Sequence, residues 1–429
     1  MVRLARTLSP TARQVLFLFG VDSFTNLVDY GFHVFLGRSL LPGDFAIVQT
    51  VNAALLIAIA AFGVTQPVVA RQAAEGSAKS SISPGAAANT VFQHYFRICA
   101  LIGIVLVALA WLGRSTIAAW LNVPPPVVAL SLSMILLALL RPVVAGMLQG
   151  QQKFIPLGLT RSIHAVGRLA IAVLLLSLGG GVLAAMVTFP AGSILALVSG
   201  LAFVGKDAWK QGPALSKDLV RAGLRLSLWA FLAYTAYMSL LNSDLIWVNR
   251  VFASDTAGYY ATAVLLRRVL ALMPGAVIVI LYPRIVTTIS QQRLPDSLLF
   301  KAALVITAST VVLTGLYFAF GPLIVHLAFG SEYMAAAPLL GWMGAAMLGY
   351  GLATIWLNFY LATRPLPFVL LLLVLALAQQ LLYATFQETL AQIMASFAIS
   401  GWVLAAGGLV LYLSVARPRF LRDWKEGSV

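Results

Sequence analysis

Residues 35–71, FLGRSLLPGDFAIVQTVNAALLIAIAAFGVTQPVVAR, have a near counterpart at 248–284, VNRVFASDTAGYYATAVLLRRVLALMPGAVIVILYPR. Each stretch closes one apolar run, makes a short turn and opens a second run on small and aromatic residues. Each then reaches a Pro and ends at an Arg, Arg71 in the first copy and Arg284 in the second. Asp29 precedes the first copy and Asp244 the second, and these positions differ by 215 in a chain of 429 residues. A duplicated helical protein is the reading that this spacing supports.

The solvent of that protein is lipid. Hydrophobic residues make up 61% of the chain and charged residues 10%, with a mean hydropathy of +0.95. Soluble domains are about half apolar and about a quarter charged. Inside a bilayer the backbone must satisfy its own hydrogen bonds, which leaves helix bundles and closed barrels. The apolar runs are continuous and about 20 residues long, so they are helices and not the alternating segments of about 10 that build barrels. Twelve spans are expected, at roughly 14–36, 43–69, 90–113, 127–149, 153–177, 182–204, 222–250, 257–283, 298–320, 334–361, 365–384 and 389–415. They group as a first lobe over 1–205 with spans one to six, a linker at 206–221, and a second lobe over 222–429 with spans seven to twelve and a basic tail.

The formal net charge of +15 follows from topology. Of the 28 Lys and Arg, nineteen fall in links on one side, six lie within spans, and three (Arg38, Arg114 and Arg250) reach the other side. That bias places both termini in the cytoplasm and favours an even span count. Anionic lipid at the inner face accounts for it without nucleic acid. Cys99, the single cysteine, excludes an internal disulfide and a cysteine metal site. No GxxxxGK[ST] sequence is present, so the chain carries no built-in ATPase. The four His lack metal-ligand spacing, so no metal or cofactor is expected beyond a coupling proton or sodium ion.

The six basic residues within spans are Arg97, Arg141, Arg161, Arg168, Arg267 and Arg268. A charge at mid-bilayer costs about 2.5–3.5 kcal/mol on insertion scales, so such groups turn to a bundle interior or a watery cavity. Arg161, His164 and Arg168 share one face of span five by their spacing. Arg267 and Arg268 point about 100° apart, so only one of them faces a cavity squarely. Arg141 is followed by Pro142, which removes a helical hydrogen bond one turn earlier. These cations, with His164, are the candidates for an anionic ligand, because guanidinium groups hold phosphate through paired hydrogen bonds. On the acidic side Asp22, Asn26, Asp29 and His33 form a stripe down span one, and Asp244 lies in span seven. Asp22, Asp29, Asp244 and His33 are the coupling-ion candidates. For these acids the structural alternative is an Asp–Arg pair that locks two helices.

LGRSLLPGDFAIVQTVNAALLIAIAAFGVTQPVVARQ at 36–72 resembles the opening of the polysaccharide flippase family: a Leu-Gly-Arg turn, an acidic-Phe step into span two, and an Arg after its end. Ala46 stands where the family usually has Gly. NSDLIWVNRVFASDTAGYYATAVLLRRVLALMPGAVIVILYPRI at 242–285 resembles the second hallmark, and LQGQQKF at 148–154 fits the link between spans four and five. The resemblance implies the multidrug/oligosaccharidyl-lipid/polysaccharide exporter fold. Two six-helix lobes would form a V, with spans one, two, seven and eight lining a cavity that alternates its access. The cargo implied is an anionic polyprenyl-pyrophosphate glycan crossing the inner membrane, with Arg267 and Arg268 in the cavity and Arg71 and Arg284 as gate candidates. It also implies a monomer that moves cargo without chemistry, working beside glycan polymerase and assembly proteins.

Two alternatives differ in their needs. A multidrug cation antiporter on the same fold would need an acidic or apolar cavity, which the arginines disfavour. A multi-span polymerase or ligase would need a sizeable outer loop or an acidic motif at a span end. The outer links here are short and carry only Asp44, Asp255, Glu332 and Glu388.

Overall fold

The computed structural model describes residues 10–79, 84–210, 217–363 and 366–425, and no strand occurs among them. The linker expected at 206–221 and the tail after 415 therefore lie partly outside the described residues. The helices of the first half are α1 (Pro10–Ser39), α2 (Pro42–Ile59), α3 (Thr65–Lys79), α4 (Pro84–Leu112), α5 (Arg114–Leu121), α6 (Pro125–Gly150), α7 (Phe154–Ser177) and α8 (Gly181–Val204). Those of the second half are α9 (Lys217–Val251), α10 (Ser254–Leu270), α11 (Leu272–Ser290), α12 (Asp296–Phe329), α13 (Ala337–Ala362), α14 (Leu366–Thr385), α15 (Leu390–Leu411) and α16 (Arg417–Lys425).

Every expected span falls on a helix or a broken helix. Among the described residues, ten segments are long and apolar enough to cross a membrane by length and composition. The other two expected spans, α1 and α9, are 30 and 35 residues long and carry Asp22, Asp29 and Asp244 among their apolar residues. Local chemistry sets several ends. Pro125 opens α6 after an extended Pro124, the position where a missing N–H costs nothing. Thr389 and Gln392 close a capping box at the start of α15. Pro322 lies inside α12, and Phe320 has non-helical torsions there, so the span expected to end at 320 runs on past a kink.

The duplicated stretches are alike in an unexpected way, since both second spans are broken. α2 runs 18 residues and yields to a 3₁₀ turn over Ala60–Val64 before α3. α10 runs 17 residues before α11 begins at Leu272.

The chain forms two compact units. One comprises Met1–Leu40 and Ala58–Leu228, the other Leu41–Ile57 and Trp229–Val429. The expected lobe boundaries differ from this at two places: residues 222–228 fall in the first unit, and α2, from the first half, packs with the second unit almost to the break. The reason is visible at its start. A Cβ on Gly258 of α10 would lie 2.2 Å from the Pro42 carbonyl oxygen, and one on Gly43 would lie 2.9 Å from Ser254 Cβ. The openings of the two duplicated helices thus cross at backbone distance. Phe45 is fully buried there, with Phe329 and Tyr333 each 5.9 Å away, ring centre to ring centre.

The core of the first unit gathers Val69, Phe92, Val143, Met147, Leu148 and Leu157. The second unit is centred on Tyr350, stacked on Phe397 at 4.6 Å and accepting a 3.0 Å hydrogen bond from Gln379. Outside these cores, Leu101, Ile104, Leu109 and Leu112 stand exposed along α4, the surface expected of a helix that faces lipid.

Candidate functional site

The acidic stripe of α1 and the basic stripe of α7 face each other in the first unit. Asp22 accepts from Arg161 at 2.5 Å, and Asp29 pairs with Arg168. Each pair is 139 residues apart in sequence. Asp22 and Asp29 are seven residues apart, as are Arg161 and Arg168, so the pairs form two rungs about 10 Å apart at 1.5 Å per residue. Because both numbers rise together, α1 and α7 run in the same direction, as spans one and five must when alternate spans reverse.

The two rungs differ in the depth of their arginines, while Asp29 is 40% exposed, close to Asp22. The side chains of Asp22 and Arg161 are 46% and 37% exposed. Arg168 is only 7% exposed; its guanidinium lies 3.9 Å from the ring centre of Phe32 and 5.2 Å from that of Phe189. Gly192 of α8 lets this region close: a Cβ there would meet Arg168 Cβ at 2.8 Å and the His164 carbonyl at 3.0 Å. His33 is buried beside the Phe32 and Phe189 rings.

Arg141 of α6 completes the cluster. It donates to Ser193 Oγ at 3.2 Å and makes no ion-pair contact with a carboxylate among the described residues, though the charge of Asp29 reaches it. Two acids thus meet three arginines, and one positive charge is left over. Arg141 and Arg161 line one cavity of about 240 Å³, with Gln66, Thr160, Ala138 and Pro142 also on its wall. Pro142 has no N–H, so it leaves the carbonyl of Ala138 without its helical donor. The wall therefore offers guanidinium donors, an amide and a hydroxyl.

The second unit treats its charges differently. Both carboxylate oxygens of Asp244 accept from Arg267, and Tyr260 donates to the same group at 2.8 Å. Arg267 also donates to the Leu241 carbonyl and lies 4.1 Å from the Phe397 ring centre. The pair is 2% and 0% exposed. Arg267 and Asp244, read from the sequence as a cavity cation and a coupling acid, are here a buried and satisfied pair. Periodicity shows which face a residue occupies but not how deep that face lies. Arg268 points elsewhere, as the 100° offset requires; it is half-buried with Asn242 Oδ1 at 3.5 Å. Where α1 meets α7 through charges, α9 meets α14 through amides: Trp247 donates to Gln380 at 2.8 Å and Gln380 to Ser243 at 3.0 Å.

The remaining candidates stand apart. Arg97 is exposed on α4. Arg71 is 76% exposed and pairs with Glu75 one turn on, and Arg284 is exposed on α11. Ser193, Thr160, Gln66 and Tyr260 were not picked out by sequence reasoning as site residues. Tyr260 does stand in the Gly-Tyr-Tyr step of the second copy, while nothing local marks Ser193.

Ten segments long and apolar enough to cross a membrane, with arginines held inside the bundle, make this a helical membrane protein. The family model described as polysaccharide biosynthesis protein matches residues 11–289, and the chain belongs to that family. An inward-facing multidrug resistance MATE family transporter of the MOP superfamily is similar in fold, with a TM-score of 0.75 and 13% identity over 92% of this chain and 95% of that one. The lipid II flippase MurJ in an inward closed conformation gives a TM-score of 0.69 and 15% identity, over 95% of this chain and 89% of that one. A MOP superfamily transporter from Pyrococcus furiosus gives 0.63 and 14%, over 95% and 94%. No curated protein matches the sequence. The chain is thus a multi-pass membrane protein with the fold of MOP superfamily transporters, and the families it matches are transporter families.

Proposed function

We propose that the protein is a flippase carrying an anionic lipid-linked glycan, a polyprenyl-pyrophosphate oligosaccharide, across the cytoplasmic membrane by alternating access. It acts without covalent chemistry, as a monomer with both termini in the cytoplasm, beside glycan polymerase and assembly proteins. One observation carries the reading: Arg141, which lacks a carboxylate partner, shares a cavity with the half-exposed Arg161. Two guanidinium groups on separate helices suit a pyrophosphate, and a cationic drug would be repelled.

The same geometry supports coupling to an ion gradient. A phosphate bound to Arg161 competes with Asp22, because both acceptors use the same donors. Asp22, once released, takes a proton or sodium ion. The buried Asp244–Arg267 pair has no such freedom and holds the second unit together. Arg168 lies deeper than either member of the first rung, and its pair with Asp29 keeps α1 against α7.

Complementation tests this. In a strain lacking its own lipid-linked glycan flippase, Arg141→Gln and Arg161→Gln should abolish surface glycan while the protein stays in the membrane. Surface glycan at the wild-type level in both variants overturns the proposal.

A further inference from the structure

On the second unit, α12, α13 and α15 leave a recess of about 570 Å³ lined by Leu299, Phe300, Trp356, Ala406 and Leu409. The wall is apolar except at one end, where Asp296, Tyr412 and Arg417 meet. Asp296 accepts from Tyr412 and from Arg417 Nε at 3.1 Å. A carboxylate, a phenol and a guanidinium at the first turn of α12 are groups that belong to a membrane interface, not to its apolar interior.

Among the described side chains, cations outnumber acids at this end. Asp296 takes only the Nε of Arg417, and among the described residues the two terminal nitrogens of that guanidinium meet no acceptor. Arg419 and Arg422 follow on α16, spaced i and i+3 on one face and exposed. Arg293, also exposed, precedes the start of α12 by three residues. Phe420 tethers the short helix, with its ring 6.4 Å from that of Phe359.

We infer that this recess is a binding site for one anionic glycerophospholipid. Its phosphate meets the free nitrogens of Arg417, and one acyl chain lies along the recess past Trp356 to Trp402. The recess gives the chain an apolar bed, and the arginines select an anionic headgroup over a zwitterionic one. The polyprenyl chain of the transported lipid is the competing occupant, but a site for it needs no cluster of arginines beyond the pyrophosphate cavity. Trp402 also lines a second apolar recess of about 720 Å³ beside Thr310 and Trp342. That recess has no cation at its wall and is not part of the site.

The full-length protein reconstituted in nanodiscs of equal phosphatidylglycerol and phosphatidylcholine is the material for the test, with retained lipid counted by native mass spectrometry. Wild type should retain one phosphatidylglycerol in preference to phosphatidylcholine. Arg417→Gln, which removes a charge-assisted contact, should cut that preference about tenfold. Ala406→Trp fills the recess from its exposed side and should abolish retention with Arg417 intact, which keeps the test valid if Arg417→Gln fails to fold. Equal retention of the two lipids, or unchanged retention in both variants, overturns the site. Stoichiometric displacement of phosphatidylglycerol by a polyprenyl phosphate assigns the recess to the cargo's chain and also overturns it. The readout is lipid retention, so failure here leaves the transport reading standing.

Discussion

Asp244 and Arg267, 23 residues apart on α9 and α10, form a two-toothed ion pair that is 0% and 2% exposed. Tyr260 and the Leu241 carbonyl complete its hydrogen bonding. Breaking such a pair strands a buried charge at about 3–5 kcal/mol, whereas replacing both partners with apolar groups is often neutral. Arg267→Met alone should therefore lower the thermal midpoint in detergent steeply, and Asp244→Leu with Arg267→Met should recover most of it. An unchanged midpoint in the single variant would mean that the charge is compensated elsewhere.

The two rungs between α1 and α7 should respond unequally. Asp22–Arg161 is half-exposed, and pairs of that kind contribute about 0–1 kcal/mol. Asp29 is the acid that meets Arg168, whose side chain is 7% exposed, and a hydrogen bond to a charged group contributes about 1.5–3 kcal/mol. Asp29→Asn should lower the melting midpoint clearly and Asp22→Asn barely. Transport should show the reverse pattern of interest: Asp22→Asn should flatten the dependence of vesicle transport on an imposed proton or sodium gradient. A full gradient dependence in Asp22→Asn would leave Asp22 a packing group.

Much of this was legible in the chain. The repeat at 35–71 and 248–284 announced two related halves, and the positions of the expected spans match the helices. The spacings Asp22–Asp29 and Arg161–Arg168 were visible as stripes, but periodicity within a helix carries no information about the helix opposite. That the two stripes meet as one set of pairs was therefore not visible. The burial of Arg267 was hidden for a related reason: its helix is amphipathic toward the core of its own unit, and depth is a tertiary property. The break at Ala271 does have a local mark, Pro274, whose missing N–H leaves the Leu270 carbonyl without its helical donor, but the apolar run continues across it and reads as one span. The link of α2 to the second unit depends on Gly258 and Pro42, which lie over 200 residues apart.

That crossing gives a packing prediction. A methyl at Gly258 would meet backbone, the Pro42 carbonyl at 2.2 Å, so the helices must separate. At Gly43 the nearest atom is the Ser254 side chain at 2.9 Å. Gly258→Ala should destabilise by about 1–3 kcal/mol, the usual cost of overpacking. Gly43→Ala should cost less and be relieved by Ser254→Gly. Circular-dichroism melts of the variants measure both effects. Equal midpoints for wild type and Gly258→Ala would show that the crossing is loose.

Ligand binding to the purified protein separates a site in which Arg141 and Arg161 hold the anionic head of the cargo from one in which they do not. A short-chain polyprenyl pyrophosphate and the matching polyprenol differ only in the charged group, so titrating each isolates that group. Each charge-assisted bond lost should weaken binding by about 10–100-fold. Wild type should bind the pyrophosphate and not the alcohol, and Arg141→Gln and Arg161→Gln should each lose affinity on that scale. Equal affinity for pyrophosphate and alcohol, or unchanged affinity in both variants, would contradict that site.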